Sequence, residues 1–199
     1  MSKLSPLKCD KCGAQILTKH RDLILVCSNC SNIMEFEKGK LVGTRSRIAK
    51  FSLEREGTRT FVPFWVVETD ITIQHEETIG GGLTRMFKGQ TNMIGKWNIF
   101  VCAADFPPAA AKRWNQTLTY NPPSFAEETN FGGITPLPVK FNHLDAYQDA
   151  EFLFLAHEME KAGTLQRISY DFKIQRHEIL YMPFYYHDGT YHSGLTGVG

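Results

Sequence analysis

The sequence predicts an α+β protein: a small cysteine-bearing unit over residues 1–43, then an antiparallel-sheet domain over residues 44–199 with two helices packed on it. Three observations lead there. Four of the five cysteines fall in the first thirty residues, two strand-like segments rich in β-branched and aromatic residues lie far apart in the chain, and two segments with helical signals separate them. The order strands, helices, strands sets both helices on one side of the sheet. A chain of 199 residues, 42% apolar and 22% charged, suffices for one medium domain and an appendage, and excludes a disordered chain.

No stretch approaches the roughly 18 consecutive apolar residues of a membrane-spanning helix, so no membrane span is expected. The start, Met-Ser-Lys-Leu-Ser-Pro-Leu-Lys, has no apolar signal core, and a cytoplasmic location is expected. Net charge is +1, but residues 1–60 hold 12 Lys or Arg against 6 Asp or Glu, while the remainder is acidic. Only the amino-terminal part is suited to a polyanion.

Cys9-Asp10-Lys11-Cys12 and Cys27-Ser28-Asn29-Cys30 are two C-x-x-C pairs separated by fourteen residues. Each pair can aim two thiolates at one point, and the intervening segment is long enough to bring the second pair opposite the first. Gly13 follows Cys12 where the chain must turn sharply; Ser31 stands at the equivalent place after Cys30. A disulfide framework lacks a secretory context, and a redox C-x-x-C needs a strand before it and a helix after it. Four thiolates close the coordination sphere, so the site is expected to be structural, with one Zn2+ per chain on Cys9, Cys12, Cys27 and Cys30. The same thiolate set also binds iron.

Between the pairs, Ile16 and the run Leu23 to Val26 flank a polar turn, a hairpin pattern; residues 33–37 give a further strand, and Lys38-Gly39-Lys40 a turn into Leu41 and Val42. The whole resembles a zinc ribbon of the broad rubredoxin-like group, over about residues 7–43. Such ribbons serve transcription factors, polymerase subunits, ribosomal proteins, enzymes and structural appendages, so the resemblance implies metal rather than one role.

Residues 44–60 interleave Arg45, Arg47, Lys50, Arg55 and Arg59 with Ile48, Phe51 and Leu53, as in an extended connector ending at Glu56-Gly57. Residues 60–73 read as a strand that turns amphipathic after Val67. Pro63, lacking an amide hydrogen, is expected at the strand's start, an edge or a bulge. Residues 97–103 read as a buried strand containing Cys102, a packing residue. Asp105 caps a predicted helix that begins with Pro107 and Pro108 and runs through the alanines to Asn115. Asn142 caps a second, running to Ala162 and stopped by Gly163, with Phe152, Leu155, Ala156 and Met159 as its apolar stripe and Leu153 and Phe154 widening it. Residues 178–192 repeat the theme of residues 60–73, Met182-Pro183-Phe184-Tyr185 matching Val62-Pro63-Phe64-Trp65, with Asp188-Gly189 as a hairpin turn. A ribbon followed by repeated proline-aromatic strands is similar to a loosely defined set of microbial zinc-ribbon proteins. That likeness implies two related β units packed together and no particular activity.

Two loops are longer than a connection requires. Residues 78–92 carry Gly80, Gly81 and Gly82 before Arg85, Met86, Phe87 and Lys88, a candidate partner-binding finger, because exposed Met86 and Phe87 are costly unless covered. Residues 120–138 hold four prolines and either wrap a neighbour or pack across their own domain. Catalytic constellations do not emerge. His157-Glu158 lacks the second histidine of a zinc-protease helix, no serine has a nucleophile-elbow context, and His177, His187 and His192 converge with Asp188 only if the final hairpin gathers them. The leading expectation is a non-enzymatic adaptor or assembly subunit acting through protein contacts. The alternative is a nucleic-acid-binding module using Lys3, Lys8, Lys11, Lys19, Arg21, Arg45 and Arg47, with Phe51 as a stacking group.

Overall fold

A strand that is apolar at every position must be covered on both faces, and Phe61-Val62-Pro63-Phe64-Trp65-Val66-Val67 is such a run. The computed structural model describes residues 7–16, 23–37, 40–79, 93–161 and 164–195. In it, β1 (Ile24–Val26), β2 (Ile33–Glu37) and β3 (Lys40–Gly43) form a three-stranded antiparallel sheet in that order. The second sheet has β4 (Ser46–Ala49), β5 (Thr58–Ile79), β6 (Gly95–Cys102), β7 (Glu127–Glu128), β8 (Thr164–His187) and β9 (Thr190–Ser193). Its order is β6-β5-β8-β4-β7, with β9 also against β8. All its pairs are antiparallel except β4 with β8, which run parallel.

The two helices, α1 (Pro108–Tyr120) and α2 (His143–Glu160), lie on opposite faces, which corrects the one-sided arrangement read from the sequence. Odd positions of the apolar run, Phe61, Trp65 and Val67, pack with Ala146, Ala150, Leu153 and Phe154 of α2, and with Ile24 and Ile33 of the small sheet. Even positions, Val62, Phe64 and Val66, pack with Trp114 and Leu118 of α1. A two-sided apolar strand needs cover twice, and that demand overrides the layer order inferred from element sequence.

Helix α1 also closes the sheet's edge. Asn115 Oδ1 accepts from the Cys102 amide at 2.8 Å, and Thr119 Oγ1 from the Phe100 amide at 3.0 Å. Four helical residues rise about 6 Å and two strand residues about 6.7 Å, so side chains at i and i+4 match alternate amides of an edge strand. The helix begins at Pro108 with no side-chain cap, so Asp105 does not serve as one, and it runs five residues beyond Asn115.

Helix α2 begins as expected. Asn142 accepts from the Asp145 amide at 2.9 Å, and Asp145 accepts from the Asn142 amide, a reciprocal capping box. Its stripe is corrected, however. Ala146, Ala150, Leu153, Phe154 and Glu158 face inward, and Phe152 and Met159 are each 69% exposed. Two small alanines let the helix approach the sheet closely, so the chain buries the Ala-Ala-Leu-Phe face instead of the larger-residue stripe. Residues 162–163, where Gly163 was expected to stop the helix, lie outside the described residues.

The loop over residues 121–138 packs across its own domain. Phe131 sits edge-on to Phe61 and Tyr181, the Leu137 amide donates to the Phe61 carbonyl at 2.8 Å, and β7 pairs with β4. The final hairpin turns on Asp188 (φ 47°) and Gly189 (φ 78°), both left-handed as the two-residue turn demands.

Candidate metal centre and neighbouring surfaces

Two knuckles of identical hydrogen bonding bring the four cysteines together. In the first, the Gly13 amide donates to the Cys9 carbonyl at 2.9 Å and the Cys9 amide to the Ala14 carbonyl at 2.8 Å. In the second, Ser31 donates to Cys27 and Cys27 to Asn32, both at 2.8 Å. Gly13 has φ 72° and Ser31 φ 56°, so the serine takes the left-handed conformation the knuckle requires, without glycine's freedom from steric cost. The described part of the unit bridges Lys8 to Gln15 and pairs β1 with β2, while residues 17–22 and 38–39, which hold the expected turns, lie outside it.

Cys9 Sγ lies 3.6 Å from Cys30 Sγ, and Cys12 Sγ 3.6 Å from Cys27 Sγ, all four being free of disulfides. A tetrahedral ion with metal–sulfur bonds of about 2.3 Å places its sulfurs about 3.8 Å apart, so these two pairs are close to the required separation, and all four sulfurs lie within 4.8 Å of one another. Side-chain amides supply further support: Asn29 Nδ2 lies 3.6 Å from Cys12 Sγ, and Asn32 Nδ2 3.8 Å from Cys9 Sγ while donating to Asp10 at 2.6 Å. Hydrogen bonding to the Ala14 backbone, then the Asn29 amide, pulls the Cys12 thiol down to about 6. Cys30 moves the other way: the Asn32 backbone favours its thiolate, but burial and the three neighbouring thiols push it up to about 12. Four thiolates so close repel one another, and a bound dication offsets that repulsion. This is a zinc ribbon-like cysteine knot able to hold a metal ion.

The other predicted residues scatter. Lys8, Lys11 and Arg45 are exposed. Arg47 is engaged by Glu178 and, at 3.6 Å, by Glu127, with its guanidinium over the Phe125 ring. Phe51 is packed edge-on to Phe61 and Tyr185 with Arg59 over its ring, so it offers no open face of the kind a stacking group needs. Lys3, Lys19, Arg21 and the finger residues Arg85, Met86, Phe87 and Lys88 lie outside the described residues. Cys102 is buried beneath α1, consistent with a packing role.

The histidines do not gather at the final hairpin. His187 stands 3.4 Å from Asp188, and His192 bonds Thr190 at 2.9 Å, but His177 lies ten residues back along β8, roughly 33 Å at strand rise. There it meets two residues that spacing alone could not connect. Its ring lies parallel to that of His143 at 4.6 Å between centroids, and His143 Nδ1 is 2.8 Å from Glu35 Oε1. Glu35 comes from β2 of the small sheet, His143 from the first turn of α2 and His177 from β8.

A second feature without a sequence signal is a groove of about 370 Å³ where α1 and α2 meet beyond the β6 edge, lined by Phe106, Ala111, Phe141, Phe152 and Ala156, with Lys112 and Asp149. Lys112 of α1 also reaches Glu160 of α2 at 3.1 Å. Phe152, Met159 and Leu144, at 69%, 69% and 57% exposed, give α2 an apolar outer side.

No family model matches the chain, and no curated protein or solved structure matches it either. None of the described helices is long and apolar enough to cross a membrane.

Proposed function

We propose that the chain is a non-enzymatic adaptor or assembly subunit: a zinc ribbon fused to an α+β body, acting through protein–protein contacts. Zinc is the ion the four-thiolate set favours in a chain with no other redox group, and four closed thiolates give it a structural role. Reduced C-x-x-C pairs suit a reducing compartment, the cytoplasm. The likeness to microbial zinc-ribbon proteins with repeated proline-aromatic strands supports the architecture and adds no activity.

The outer side of α2 carries the reading. Leu144, Phe152 and Met159 keep large apolar groups in water beside an apolar groove, an arrangement that a covering protein surface relieves. The finger at residues 85–88 is a second contact surface in this reading. The nucleic-acid alternative draws on cations that must face phosphate, whereas Arg47 faces Glu178 and Glu127.

The test compares the zinc-loaded wild-type chain with Phe152→Asp and Met159→Asp. Stoichiometric co-purification of a defined partner with the wild type, lost in both variants at unchanged melting temperature and zinc content, supports the reading. Variants that retain the partner, or a wild type that sediments alone from its native host, overturn it.

A further inference from the structure

A carboxylate buried to 3% exposure on a small metal-binding unit needs compensation, because desolvating a charge costs several kcal/mol unless it is paired or coordinates a cation. Glu35 has that compensation in the body of the protein: its Oε1 meets His143 Nδ1 at 2.8 Å. His177 stacks on His143, and its own Nδ1 is 2.5 Å from the Tyr147 hydroxyl. Trp65 stands nearly perpendicular to both imidazoles, closing the apolar side. One potential ligand atom from each of Glu35, His143 and His177 lies within 4.8 Å of the others.

We propose that Glu35, His143 and His177 form a second divalent-cation site, a His2Glu set distinct from the four cysteines, at the seam where the ribbon docks on the main sheet. Two nitrogens and one carboxylate oxygen are the borderline donor set that suits zinc and its first-row neighbours. Three protein ligands leave a fourth position open. Two of the three ligands, Glu35 and His177, border a groove of about 550 Å³ together with Tyr147, from which a further ligand can approach.

Two ligands at about 2.1 Å from a tetrahedral ion sit about 3.4 Å apart, so the Glu35–His143 pair opens by roughly half an ångström to admit one. The two rings are parallel within 5°, and an imidazole lone pair lies in its ring plane, so one ring must tilt to reach a shared ion. His177 borders the groove, so the tilt is assigned to its ring, against the restraint of its bond to Tyr147. Arg45 and Arg176 line the same groove and oppose the ion's charge, an opposition that Glu68, paired with Arg176 at 2.5 Å, offsets in part. Since the three ligands come from β2, α2 and β8, the bound ion fastens the ribbon to the body.

The test titrates the reduced, metal-stripped full chain with Co2+. The wild type is expected to take two equivalents, one with the intense thiolate-to-cobalt charge-transfer bands and one with only weak ligand-field bands. His177→Ala and the isosteric Glu35→Gln each lose the second equivalent, affinity falling by at least the roughly 10–100-fold that loss of an outer-shell partner costs, and keep the thiolate bands, which report a folded ribbon. A wild type that saturates at one equivalent overturns the proposal, as do variants that still take two. The wild-type count decides the matter even where a variant misfolds.

Discussion

Val62 of β5 pairs directly with Met182 of β8, and this register sets the two proline-aromatic segments across from each other about a local two-fold. Phe61 then faces Pro183, and Pro63 faces Tyr181. Each proline sits where a flanking strand ends, and each missing amide is handled alike. The Ala103 amide donates to the Pro63 carbonyl at 2.9 Å, and the Ala103 carbonyl accepts from Lys140 at 2.7 Å. Likewise the Gly194 amide donates to the Pro183 carbonyl at 2.8 Å, while the Gly194 carbonyl accepts from Ser52 at 2.9 Å and Leu53 at 3.0 Å. A proline is thus tolerated inside a central strand, because a third segment takes the bond its nitrogen cannot make.

The Val62–Met182 pair should therefore act as one unit at the symmetric centre. Both side chains are fully buried on the α1 face. Met182→Ala is expected to cost about 2–5 kcal/mol and Val62→Ala about 2 kcal/mol. Because cross-strand partners share contacts, the double variant should cost less than the sum by about 0.5–3 kcal/mol. Urea unfolding of the four proteins measures this, and strict additivity would show that the pair is not coupled.

The edge of β6 supplies a second expectation. Asn115 and Thr119 are buried and hold the Cys102 and Phe100 amides. Asn115→Ala or Thr119→Val leaves a buried N–H without its acceptor, a loss of about 1–3 kcal/mol each. Amide exchange localises the effect: Cys102 should lose protection in the first variant and Phe100 in the second, with Ile99 and Val101, which face β5, little changed.

These residues also show what the sequence could and could not disclose. The helix at the alanines is legible from its prolines and helix formers, but those local signals stop at Asn115. Thr117, Thr119 and Tyr120 are indifferent helix formers, and what keeps them helical is Thr119 reaching a strand that no local pattern names. The cysteine knot was legible because four ligands at fixed spacing encode one point in space. Glu35, His143 and His177 were not, since 108 and then 34 positions separate them and only the docking of ribbon on sheet unites them. Both strands of the pseudo-two-fold were visible as a repeated motif, and their mutual pairing was not. The two-sided burial of residues 61–67 is where the element order misleads: strands, helices, strands points to one-sided cover, whereas the unbroken apolar run demands cover on both faces.

Ser31 makes a third prediction. At φ 56° it pays a steric cost that Gly13, in the matching knuckle at φ 72°, avoids. Left-handed backbone costs an L-residue about 1–2 kcal/mol, and glycine's greater freedom in the unfolded chain returns part of that. Ser31→Gly should thus stabilise the metal-loaded protein by about 0.5–1 kcal/mol, read as a higher urea midpoint at equal metal content. Gly13→Ser should destabilise by a similar amount, since no neighbour crowds a side chain at Gly13 and only its backbone conformation resists.

Cys102 makes the last prediction, a dependence on alkaline pH. Burial beneath α1 pushes its thiol from 9.0 up to about 11. The unfolded chain therefore releases this proton at a lower pH than the folded protein does. Between about pH 9 and pH 11 the unfolded state binds fewer protons, so stability falls as pH rises through that window and is unaffected by this group below it. Two units correspond to about 2–3 kcal/mol at most. Tyrosines add their own alkaline losses, half-buried Tyr120 being raised to about 12 by desolvation and by Glu160 and Glu158, so the wild type alone does not isolate the thiol. Cys102→Ala does: its cavity cost is constant with pH, and its deficit relative to wild type should shrink by about 2 kcal/mol between about pH 8 and pH 11. A deficit that stays constant across that range would place the thiol in contact with water, and iodoacetamide would then label Cys102 in the native, metal-loaded chain as fast as in the unfolded one.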